Sequence, residues 1–183
     1  NAGVADLFIV FAKIEGDKNL SAFILERNTP GFTIGEEEDK MGIRGSSTTQ
    51  IFFDNVKIPV ENLLGKQNEG FKIALYILNL GRIKLAGACA GAAKSTIDIS
   101  VQYANERKQF GTTITNFGAI KYKLAEMVIR TFANESLTYR ASQNIDDAIE
   151  ALVAGGMDKG RAMVEGLRQY AIEASIAKVF GSE

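Results

Sequence analysis

Histidine is missing from this 183-residue chain, cysteine occurs once and proline twice. Without histidine there is no Ser-His or Cys-His nucleophile, no imidazole acid or base and no His metal site. Zinc chemistry falls with it. A lone Cys89 makes an internal disulfide impossible and suits a reducing compartment. One-signed charge is lacking too. The formal net charge of −1 provides no overall field to attract nucleic acid or an acidic membrane. Proline is absent after Pro59, so long helices downstream meet no obligatory break. What remains is 46% apolar, enough to bury a core.

The chain divides into two unlike halves. In residues 4–60, ADLFIVFAKI is an apolar run of the kind buried on both faces of a sheet. LSAFILER follows after Glu15-Gly16-Asp17, FTIGEEE after Pro30-Gly31, and TTQIFFDNV alternates Thr49, Ile51 and Phe53 against Gln50, Phe52 and Asp54. Four or five such strands leave two sheet edges open, so this half predicts an incomplete β-domain. From residue 67 the pattern is helical. Residues 68–105 predict one helix about 55 Å long, with the small-residue run LAGACAGAA (85–93) set in the middle of a bundle. Arg82, Lys84 and Lys94 interrupt the apolar stretches of that helix, which excludes it as a membrane span.

A second helix is predicted from about 116 to 143, with Ile120, Leu124, Met127, Val128 and Thr131 on one stripe. NIDDAIEALVAGG predicts a shorter helix closed by Gly155-Gly156. A further one is predicted over about 158–182, with Met163, Leu167, Tyr170, Ala174 and Ala177 inward. The fold class is therefore α+β: a partial antiparallel β-barrel or sandwich domain over 1–64, then an antiparallel helical bundle over 65–183. The opening NAGVADLFIV lacks an initiator Met and the closing AKVFGSE lies inside a helical pattern. Both ends read as cut from a longer protein.

Three stretches stand out chemically. In ANERKQFGTTITNFGAI (104–120), local physics favours a helix C-terminus: Arg107 and Lys108 against the negative end of the dipole, with Gly111 as left-handed cap. The other reading is a guanidinium with an aromatic neighbour, Phe110, holding a phosphate or a flat ring. In NEGFKIALYILNLGRIKLAGACAG, Asn79 and Arg82 lie three apart on one helix face. Gly81 beside them costs about 1 kcal/mol of helix stability relative to Ala, which suits either close helix packing or a ligand channel. The acidic run 36–39 reads as a solvated loop. GIRGSS lacks the spacing of a Walker loop and GACAG that of a Rossmann fingerprint.

Taken together, MGIRGSSTTQIFFDNVKIPVENLLG, then GFKIALYILNLGRIKLAGACAGAAKSTIDISVQYANERKQFG, then ASIAKVFGSE, in this order, resemble the acyl-CoA dehydrogenase family over essentially the whole chain. LNLGR, NFGAI and AKVFGSE are most similar to its very-long-chain branch. The resemblance implies the second half of the middle β-domain followed by the first helices of the C-terminal domain. It implies FAD as cofactor, with Arg107 on its pyrophosphate and Gln109 and Phe110 lining it. Gly118 stands where many members carry a glutamine that touches the cofactor. Asn79, Gly81 and Arg82 match positions facing acyl-CoA.

The implied reaction is α,β-dehydrogenation of a fatty acyl-CoA, with electrons passed to electron-transfer flavoprotein. A homodimer or homotetramer in the bacterial cytoplasm or mitochondrial matrix is likewise implied. No residue of the chain matches a catalytic base: the isovaleryl branch carries its Glu where this chain has Gly81, and other branches carry it beyond Glu183. The alternative from another class is a non-catalytic scaffold on the same fold.

Overall fold

The computed structural model describes all residues, Asn1–Glu183, as two compact units, Asn1–Leu75 and Tyr76–Glu183. The first unit holds the strands read from sequence: β1 (Leu7–Ala12), β2 (Ser21–Glu26), β3 (Phe32–Glu37) and β4 (Thr49–Phe53), with a two-residue β5 (Leu63–Leu64). They form two small antiparallel sheets, ordered β1-β2-β5 and β3-β4, and no closed barrel. Phe8 of β1 meets Phe32 of β3 edge-on at 4.9 Å, and Phe32 leans on Phe53 of β4 at 5.4 Å. With Leu25, the cross-strand partner of Phe8, fully buried on β2, these rings form a core on one face of the first sheet.

Strand β1 is not buried on both faces. Phe8 turns inward, while Leu7 and Ile9 stay 63% and 45% exposed; on their face only the end at Phe11 and its buried partner Ala22 is covered. The acidic run is also only partly a loop. Glu36 and Glu37 belong to β3, and the Glu37 carboxylate accepts hydrogen bonds from the Ser47 hydroxyl and, at 2.9 Å, from Thr48 N. Arg27 ties the start of the chain down, donating to the carbonyls of Ala2 (2.9 Å), Ala5 (2.8 Å) and Gly3 (3.2 Å). At the entry to helix α1 (Gly70–Glu106), Gly70 N donates to Leu20 O at 2.8 Å. A Cβ on Gly70 would lie 2.6 Å from the Ser21 carbonyl carbon, so only glycine admits that approach.

The second unit contains most of α1, a small hairpin of β6 (Lys108–Gln109) and β7 (Thr112–Thr113), and helices α2 (Gly118–Ala154), α3 (Lys159–Gln169) and α4 (Ala171–Ser182). The predicted break after residue 143 does not exist. No Gly or Pro lies between Gly118 and Gly155, and Gln143 Nε2 bonds Asp147 Oδ1 one turn on at 2.8 Å, so α2 runs straight through. It ends at Gly155-Gly156, where Gly156 is left-handed (φ +89°) and donates to Val153 O. The helix predicted over 158–182 is instead two, broken at Tyr170 (φ −109°, ψ 28°), with Asp158 capping α3 through Arg161 N.

The small-residue run of α1 is less central than its composition predicts. Ala86 and Ala90 are buried, whereas Leu85, Gly87, Ala88, Gly91 and Ala92 are exposed. Buried Asn134 of α2 reaches Ala86 O at 3.4 Å, and Lys94 pairs with Glu135. The stripes on α2 and α4 bury mainly Thr131, Asn134, Thr138, Ala141 and Ile145, and Ala174 and Ala177; Val128 and Met163 are exposed. By length and composition alone, α1 is long and apolar enough to cross a membrane, so the spacing of its charges does not by itself exclude a span.

Candidate functional site

Helix α1 stops at Glu106. Arg107 N still closes the last turn on Tyr103 O (2.9 Å), and Arg107 O accepts from Ile114 N (2.9 Å) across the following hairpin. Between these two bonds the chain pairs Lys108 with Thr113 and Gln109 with Thr112. Phe110 (φ +53°) and Gly111 (φ +82°) are the two central residues, the twisted geometry of a two-residue hairpin. Gly111 is therefore a hairpin residue and not the cap of α1. Phe110 occupies a left-handed position normally filled by Asn, Asp or Gly, at a cost of about 1–3 kcal/mol.

What the strain achieves is exposure. The Phe110 ring is 93% accessible and touches Phe117 edge-on at 6.2 Å. Arg107 and Gln109 are exposed beside it, and the Arg107 guanidinium enters no ion pair with any acid of the chain. The hairpin leads through a short 3-10 turn, Ile114–Asn116, into α2, whose N-cap Phe117 has no side chain able to cap. The first amides of α2 carry partial positive charge unopposed by a cap, and a Cβ on Gly118 would find open space. An unpaired guanidinium, an exposed ring, an exposed amide and an uncapped helix start thus lie together. The set suits a phosphate group attached to a flat ring, so the residues present fit a dinucleotide diphosphate.

Asn79, Gly81 and Arg82 occupy a separate place, some 25 residues and so about 37 Å earlier along α1. Asn79 is 7% exposed and its Oδ1 accepts from Arg82 Nη1 at 2.7 Å. Nothing approaches the Cβ position of Gly81, so no close packing within this chain requires glycine there. The structure does not bring these three residues to the hairpin. Nor does it mark a proton acceptor: the carboxylates with displaced pKa values, Glu37 and Glu165, are both held low, by the Ser47 hydroxyl and by Arg168 respectively.

Sequence reasoning missed Asn116. Its Nδ2 donates to Thr112 Oγ1 at 2.6 Å and to Thr113 Oγ1 at 3.2 Å, and Thr113 Oγ1 in turn lies 2.9 Å from Thr115 Oγ1. The spacing of Asn116 three and four residues after two threonines was the available signal.

Residues 1–56 match the family described as acyl-CoA dehydrogenase, middle domain, and residues 68–183 match acyl-CoA dehydrogenase, C-terminal domain. The chain belongs to the acyl-CoA dehydrogenase family. It is 45% identical over 183 residues to a probable acyl-CoA dehydrogenase of Bacillus subtilis, covering 100% of this chain and 31% of that protein. It is 41% identical over 191 residues to the mitochondrial very long-chain specific acyl-CoA dehydrogenase of Rattus norvegicus, covering 100% of this chain and 26% of that protein. The crystal structure of an acyl-CoA dehydrogenase complexed with FAD from Bacillus anthracis superposes with a TM-score of 0.92 at 43% identity, covering 100% of this chain and 31% of that one. The chain thus spans 26–31% of the length of these relatives.

Proposed function

We propose that this chain forms part of an FAD-dependent acyl-CoA dehydrogenase that introduces the α,β double bond of a fatty acyl-CoA thioester. The observation that carries this reading is the unpaired, exposed Arg107 at the base of a hairpin that also presents Gln109 and Phe110, in a chain whose close structural relative is complexed with FAD. Bound FAD supplies the hydride acceptor. Arg107 offers two parallel N–H donors to the diphosphate, Phe110 offers a face or edge to the adenosine side, and Gln109 offers an amide beside it. At Gly118 the missing side chain leaves room beside the start of α2. On the same reading Arg82, steadied by Asn79, serves the phosphate-bearing part of acyl-CoA, and Gly81 leaves its neighbourhood open. None of these residues supplies the base that removes the α-proton.

Domain limits at 1–64 and 65–183, electron-transfer flavoprotein as acceptor, and a bacterial cytoplasmic or mitochondrial matrix location belong to the same proposal. A homodimer or homotetramer does too, supported by large apolar side chains left exposed on α2, among them Ile129, Phe132 and Tyr139. The test is a flavin titration of the full-length protein. Arg107→Ala should weaken FAD binding roughly 10- to 100-fold, the worth of a hydrogen bond to a charged group, while leaving acyl-CoA affinity in place. FAD affinity equal to that of the unaltered protein overturns the assignment.

A further inference from the structure

We propose that Asn116 is a positioning residue for the dinucleotide site, clasping the hairpin that presents Arg107 and Phe110. The assignment rests on the cofactor reading above and deepens it. Two ladder pairs are too few to hold a hairpin in water, and a phenylalanine in the left-handed region works against it. The turn must be over-determined from outside the ladder. Asn116 does this. Both N–H bonds of its amide are spent on the hairpin, one on the Thr112 hydroxyl (2.6 Å) and one on the Thr113 hydroxyl (3.2 Å).

The second hydroxyl passes the contact on to Thr115 Oγ1 at 2.9 Å. Because Asn116 ends the 3-10 turn that leads into α2, the clasp ties β7 to the helix start that faces the same ligand. The Ile114 N to Arg107 O bond holds the root of the hairpin. Arg107 and Phe110 are thereby set in place before any ligand arrives, and the entropy of ordering them is not charged against binding. Asn116 itself need not touch the cofactor; its effect passes through Thr112 and Thr113.

The experiment compares Asn116→Ala, Thr112→Val, Thr112→Ser and Arg107→Ala in the full-length holoenzyme. FAD affinity is read by flavin fluorescence, and hairpin opening by amide hydrogen exchange over residues 108–113 in the FAD-free protein. Asn116→Ala and Thr112→Val should each weaken FAD roughly three- to tenfold and speed exchange of the hairpin amides by a similar factor. Together they should weaken it little more than either alone. Thr112→Ser keeps the hydroxyl and should keep both affinity and protection. Acyl-CoA affinity should stay unchanged throughout. Unaltered FAD affinity in Asn116→Ala, or a loss of affinity without faster exchange, overturns the clasp. If Arg107→Ala weakens FAD while Asn116→Ala does not, the clasp alone fails. If Arg107→Ala has no effect, the cofactor reading fails and this assignment with it.

Discussion

Arg27 in the β-unit and Arg107 in the helical unit carry the same guanidinium and use it in opposite ways. Arg27 spends its donors on three backbone carbonyls at the start of the chain. Arg107 spends none on any acid of the chain, although Glu106 is its neighbour in sequence and Gln102 Nε2 already occupies that carboxylate at 3.0 Å. Arg82 stands between them, half satisfied by Asn79. An arginine whose donors are used within the fold holds structure. One held rigidly at its backbone and left free at its tip is available to a ligand. The contrast separates a guanidinium used up within the fold from one left without a partner in the chain.

The largest effect on stability should come from Arg27→Ala. Three half-buried carbonyls lose a charged donor, and the unfolding free energy from chemical denaturation should fall by about 3 kcal/mol, with FAD binding untouched. An unaltered midpoint would remove the distinction between the two arginines. Arg82→Ala should cost about 1 kcal/mol, because the Asn79 oxygen is left buried without its donor. It should weaken acyl-CoA more than FAD, and equal weakening of both would merge the two places on α1 that the structure keeps apart.

A smaller effect is tied to pH. The Ser47 hydroxyl, then Thr48 N, hold the Glu37 carboxyl below its ordinary value of about 4.3. That contribution is full above the usual glutamate range and is lost as pH falls through the depressed folded value. Glu37→Gln should therefore flatten the acid limb of the stability profile in the β-unit and leave flavin affinity alone. An acid limb identical to that of the parent protein would show that these bonds do not persist in solution. Smallest of all should be the stability change in Arg107→Ala, within about 0.5 kcal/mol, as for a surface side chain with no partner.

Much of the fold was legible because its signals are local. β-branched and aromatic runs broken by Glu15-Gly16-Asp17 and Pro30-Gly31 marked β1 to β4, and a proline-free stretch marked α1. What stayed hidden depends on partners distant in sequence. The open face of Leu7 and Ile9 cannot be read from their hydrophobicity, since a covered and an uncovered strand look alike. The join at Gln143–Asp147 and the break at Tyr170 are decisions between weakly different backbones, where Asp and Asn residues argue for turns that the helix overrides.

The same holds for the candidate site. Arg107, Gln109 and Phe110 stood out as a motif, but the hairpin was mistaken for a helix cap because Gly111 satisfies both patterns. Asn116 had no meaning until Thr112 and Thr113 were seen across from it. That Asn79 is buried and accepts a hydrogen bond from Arg82 likewise needed side-chain geometry.

The most direct test is the FAD dissociation constant of the full-length protein before and after Arg107→Ala, measured beside its acyl-CoA affinity and its denaturation midpoint. A rise of roughly 10- to 100-fold in the first, with the other two unmoved, is the expected result. A dissociation constant that does not move would contradict the role of Arg107 as the cation that meets the diphosphate.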